Sequence, residues 1–79
     1  MEKQEMIDKL RAAIAGEFEL EEEKLAPEAP IKETLDLDSL SLVDLIALIE
    51  AQTGVKLKGV EVTHILTFEA LYDFVYERM

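Results

Sequence analysis

The chain has no cysteine and no tryptophan, a single histidine, three glycines and two prolines among its 79 residues. Without cysteine there is no disulfide framework, no thiolate nucleophile and no zinc site of the cysteine type, so any thiol chemistry it joins must be borrowed. One histidine, His64, is thin support for a serine triad, and no glycine-flanked nucleophile elbow surrounds either serine. The glycines Gly16, Gly54 and Gly59 are isolated and none precedes a lysine-serine pair, which removes a nucleotide phosphate loop. Asp36-Leu37-Asp38 has the alternation that opens a calcium loop, but no glycine and late glutamate follow at the required spacing. Weak cation binding by the acids is what remains of metal chemistry. No apolar run could span a bilayer, and the residues after Met1 lack the basic region and apolar stretch of a signal peptide. The expected location is the cytoplasm, with no membrane insertion.

Bases are also scarce. Eight stand against 18 acids, giving a formal net charge of -10 at neutral pH. Such a chain repels nucleic acid and anionic lipid, attracts basic partners, and strains its own compact state by self-repulsion. Apolar residues nevertheless make up 49% of it, which fits a globular protein rather than a disordered one. One domain over residues 1–79 is expected, a monomer with a small core and modest stability.

Met6, Ile7, Leu10, Ala13, Ile14 and Phe18 recur at helical steps and predict a first helix with one buried stripe, stopping near Gly16. From Glu17 to Leu37 the period fails, and Pro27 and Pro30 break any continuous helix there. Leu20, Leu25, Ile31, Leu35 and Leu37 should pin this long loop to the core. Val55 to Gly59 reads as an extended connection, and Val60 to Leu66 as a short helix with Val62, Ile65 and Leu66 inward. Thr67 caps a last helix that buries Phe68, Leu71, Tyr72 and Val75. The fold class is all-α.

The most informative stretch runs from Ser39 to about Thr53. Asp38 is a good N-cap and Gly54 a good stop, so a helix begins at or beside Ser39. At about 100° per residue, Leu42, Leu45, Ile46 and Ile49 fall on one face and should meet the core. Ser39, Leu40, Val43, Asp44, Ala47, Glu50 and Ala51 fall on the other. An outward apolar stripe bordered by acids suits a partner-binding surface, although small proteins also expose apolar residues without consequence. Ser39 itself is either one half of a plain cap pair or an attachment point for phosphate, which the helix dipole and free amides would stabilise.

Leu35-Asp36-Leu37-Asp38-Ser39-Leu40, followed by Val43, Asp44, Leu45 and Glu50, resembles the attachment motif and second helix of acyl carrier proteins. The likeness extends over almost the whole chain. It implies a small four-helix bundle with a long loop between helices 1 and 2 and a short helix 3. It also implies that Ser39, flanked by Asp38 and Leu40, receives 4'-phosphopantetheine from coenzyme A through a phosphopantetheinyl transferase. The arm's thiol would hold acyl groups as thioesters for fatty-acid, polyketide or related biosynthesis, and the chain would not itself be a catalyst. Asp36, Asp38, Leu40, Val43, Asp44, Ala47 and Glu50 would meet basic docking surfaces on the transferase and on acyl-loading, condensing and transferring enzymes. Leu42, Leu45, Ile46, Ile49, Ile65 and Leu71 would line the core or an acyl cavity. An aminoacyl, peptidyl or D-alanyl carrier with the same arm, or an acidic helical interaction module without one, are the alternatives. Ser41, Ala51, Gln52, Lys56 and Lys58 stand where fatty-acid carriers are often acidic, which favours a specialised member.

Overall fold

The computed structural model describes residues 2–79 as a helical protein. Helix α1 spans Lys3–Glu17, a 3-10 turn covers Glu22–Lys24, and α2 spans Ile31–Leu35; α3 follows at Ser39–Thr53, α4 at Gly59–Thr63 and α5 at Phe68–Glu77. Helix α1 packs against α3 and α5, and α4 lies on α3. Met6, Leu10, Ile14, Leu45, Ile49, Phe68, Leu71 and Val75 are fully enclosed where these helices meet.

Helix α1 runs through Gly16 and does not stop there. Its end is closed by Leu20, whose amide donates to the Ala15 carbonyl at 2.9 Å, with Glu19 between them in the left-handed region at φ 56°. A glycine ends a helix only when it stands at the left-handed position just beyond the last turn, and Gly16 lies three residues too early. The stripe is Met6, Leu10 and Ile14 with Ala15; Ala13, Ile7 and Phe18 are half-buried.

The long connection is less irregular than its sequence suggests. Leu25, Ile31 and Leu35 are buried and Leu20 and Leu37 pack beside them, so the apolar residues do pin it. It also contains α2, which makes five α-helices among the described residues where four were expected and puts the serine-led helix third. Pro30 is the N-cap of α2, its fixed φ of -74° already extended before the first turn, and Ile31 and Leu35 form an i, i+4 pair facing inward. Five residues are too few to establish a period, but proline followed by that pair is a readable signal. The loop is stitched to the end of the chain by backbone bonds: Ile31 N–H to the Leu66 carbonyl at 3.0 Å, Phe68 N–H to Ala29 at 3.3 Å and Glu69 N–H to Pro27 at 2.9 Å.

That stitching explains a second departure. Helix α4 ends at Thr63, short of Leu66, because Leu66 must leave the helix to offer its carbonyl to Ile31. Val62 is buried and Ile65 half-buried, whereas Leu66 is 74% exposed and not inward as expected. The Val55 to Gly59 connection alternates as its sequence does, with Val55 and Leu57 buried and Lys56 and Lys58 exposed. Thr67 caps α5 through its hydroxyl, which accepts from the Ala70 amide at 3.2 Å.

Candidate functional site

Ser39 is the first residue of α3, and its placement follows from the residues on either side. Asp38 is the N-cap, with extended backbone, and its Oδ1 accepts from the Ser41 amide at 2.8 Å. That bond lowers the Asp38 carboxyl below its ordinary value, because the amide dipole favours the charged form. At the far end Gly54 sits at φ 79°, a conformation that glycine reaches without a side-chain clash, and its amide closes on the Glu50 carbonyl at 2.8 Å. Both ends of α3 are therefore set by residues legible in the sequence.

The two faces of α3 separate much as periodicity predicts. Leu45 and Ile49 are completely buried, while Leu42 and Ile46 are half-buried against the core. Ser39, Leu40, Val43, Asp44, Ala47, Glu50 and Ala51 are all exposed, Leu40 at 76% and Val43 at 63%. Asp36 is exposed as well and holds the left-handed position that ends α2, at φ 50°. Glu50 lies 3.9 Å from the Lys56 ammonium, so part of its charge is answered within the chain.

Ser39 opens on a groove of about 590 Å³ between α2, the head of α3 and the α4 region. Its apolar lining is Ile31, Leu37, Leu42, Val62, Ile65 and Leu66. Of the residues expected to form a core or cavity, Leu42 and Ile65 line this groove, Leu45, Ile49 and Leu71 lie in the closed core, and Ile46 packs half-buried against that core without lining the groove. Ile31, Lys32, Leu37, Val62 and Leu66 were not among the candidates. The groove depends on α2, and a five-residue helix leaves a faint trace in sequence. His64 is outside the lining; its Nδ1 donates to the Val60 carbonyl at 2.8 Å, a local bond within α4. Among the described residues no group of three or more histidines and carboxylates is placed to hold a metal ion.

The helix order and the exposed serine define a class: a small helical protein that presents one hydroxyl at a capped helix start beside an apolar groove. Comparison with known proteins agrees. Residues 8–75 match the family model described as the phosphopantetheine attachment site. An acyl carrier protein of Thermosynechococcus vestitus is 32% identical over 79 residues, covering 100% of this chain and 98% of the relative. One from Rubrobacter xylanophilus is 34% identical over 77 residues, covering 98% and 95%. One from Petrotoga mobilis is 30% identical over 79 residues, covering 100% and 93%. The chain belongs to the acyl carrier protein family. It is a non-catalytic carrier, and its prosthetic group is 4'-phosphopantetheine. The residues present fit that group, since an exposed serine hydroxyl, the atom that would carry the phosphodiester, stands beside a groove with room for an extended chain.

Proposed function

We propose that Ser39 carries the 4'-phosphopantetheine arm and that the protein holds acyl groups on it as thioesters, delivering intermediates to enzymes of fatty-acid, polyketide or related biosynthesis. The observation that supports this most is the exposure of Ser39 at the head of a capped helix, at the edge of the groove. Ser41, the other serine of the chain, is half-buried, and its amide is held by Asp38. When attached, the arm supplies the thiol that the chain lacks.

The residues around Ser39 then divide by task. Leu42 and Ile65, with the other apolar residues of the groove, shelter a hydrocarbon cargo from water. Asp36, Asp38, Leu40, Val43, Asp44, Ala47 and Glu50 form the docking strip for the transferase and for enzymes that load, condense and transfer the acyl group. Exposed acids steer a basic partner, and Leu40 and Val43 supply apolar contact once it has arrived. Lys56 and Lys58 shorten the acidic strip at its far end, which fits a specialised carrier with partners of its own.

The apolar lining favours acyl over aminoacyl or D-alanyl cargo, because the groove offers hydrocarbon along most of its length. Apo protein incubated with coenzyme A and a broad-specificity phosphopantetheinyl transferase should gain the mass of the arm, and Ser39→Ala should not. No gain on wild type, or an equal gain on Ser39→Ala, rejects the reading.

A further inference from the structure

Attachment at Ser39 would set two negative charges side by side at the head of α3. One is Asp38, kept ionised by the Ser41 amide at 2.8 Å. The other is the phosphodiester of the arm. A helix start favours an anion through its free amides and its dipole, yet here one of those amides already serves the carboxylate. The sequence led to the expectation that the free amides would stabilise the phosphate; the cap takes part of that capacity away. On a chain of net charge -10, the added charge calls for a cation nearby.

Lys32 is the one base among the residues lining the groove beside Ser39. It is exposed and makes no ion pair among the described residues. Several other cations are engaged elsewhere: Lys3 with Asp73, Arg11 with Asp8 and Glu22, Lys56 with Glu50, and Arg78 with Glu61. Its carbonyl accepts from the amides of Asp36 and Leu37, so the turn that carries Lys32 is tied to the segment entering α3. Glu33 shares the groove wall, but adjacent residues on a helix do not face one another, and Lys32 is not committed to it.

We propose that Lys32 is a positioning residue for the prosthetic arm, its ammonium pairing with the phosphodiester on Ser39 and fixing the arm's origin at the mouth of the groove. This rests on Ser39 being the attachment point. A lysine suits the task, since its flexible stem brings a compact charge to a phosphate oxygen without demanding one geometry. In the apo protein Lys32 is solvated and unpaired. In the holo protein the pair offsets the repulsion between Asp38 and the phosphodiester, and added salt weakens it.

The test compares apo and holo forms of wild type, Lys32→Gln and Lys24→Gln, with intact mass confirming the arm on each. A failure to take up the arm refutes attachment, and the pairing with it; once the arm is present, the remaining readouts concern Lys32 alone. Lys24 lies in the 3-10 turn outside the groove and controls for net charge. At low salt, Lys32→Gln should move the phosphorus NMR resonance of the phosphodiester. It should also lower the holo melting temperature by about 2 °C or more beyond its effect on the apo form. Both differences should fade near about 0.5 M salt, and Lys24→Gln should produce neither. An unmoved resonance, an equal effect on apo and holo forms, or the same change in Lys24→Gln overturns the proposal.

Discussion

Glu19 and Tyr72 are each held in a state that the native residue tolerates poorly. Glu19 sits in the left-handed region at φ 56° to close α1, where a side chain costs about 1 to 2 kcal/mol. Glu19→Gly should therefore stabilise the protein by about 0.5 to 1 kcal/mol after the entropy of glycine in the unfolded chain is counted, measured by urea denaturation. Asp36→Gly should gain less, because aspartate visits that region more readily. Tyr72 is buried with its hydroxyl unpartnered by any protein group, and burial pushes its pKa up to about 12. A raised acid pKa means that the neutral form is favoured in the fold. That stability is complete below pH 10, the ordinary tyrosine value, and is lost as the pH climbs toward 12. Tyr72→Phe should thus unfold less in that alkaline window and be no less stable at pH 7, where it relieves an unsatisfied hydroxyl. Greater alkaline loss in the variant would contradict this. Neither feature was legible from residue type, since nothing in a glutamate announces a left-handed backbone. Asp38, Ser39 and Gly54 were legible because a cap and a stop are local chemistry, written by one residue each.

At the scale of the element, α3 carries both the proposed docking strip and the centre of the core, on opposite faces. Leu45→Ala or Ile49→Ala should cost about 2 to 5 kcal/mol, seen as a large loss of helical circular dichroism on mild heating, since both side chains are completely enclosed. Asp44→Lys should leave stability within about 0.5 kcal/mol while slowing modification by a basic transferase. Glu50→Lys should slow it less, because the Lys56 ammonium at 3.9 Å already answers part of that charge. Equal slowing by both would remove Lys56 from the account. Asp38→Ala should lower the melting temperature by roughly 4 °C or more through loss of the cap. The lowered Asp38 pKa means its share of stability is present above the ordinary carboxylate value and disappears as pH falls through the lowered one. The period of α3 made its faces readable from sequence. Helix α2 was only faintly readable, through Pro30 and the Ile31/Leu35 pair, because five residues between loops give no period, and with it went one wall of the groove. The early end of α4 was hidden for another reason: Leu66 is drawn out by a backbone partner, Ile31, thirty-five positions away.

For the whole molecule, charge and cargo decide behaviour together. With net charge -10 and a small core, the folded state works against its own repulsion. Moderate salt or a divalent cation should raise the melting temperature, and a flat or falling response would count against that view. The fold class agrees between sequence and structure, and the family and prosthetic group between sequence and the related proteins, because a helical pattern and a serine-led motif span nearly the whole chain. The groove was legible only in part: Leu42 and Ile65 were read as cavity residues, but Ile31, Lys32 and Glu33 come to it on a helix too short to announce itself. The central claim, that Ser39 is the attachment point, is tested most directly by fragmenting the modified protein in a mass spectrometer and locating the arm. The account predicts the arm on Ser39 alone, with Ser41→Ala still modified; an arm on Ser41, or on no serine, would contradict it.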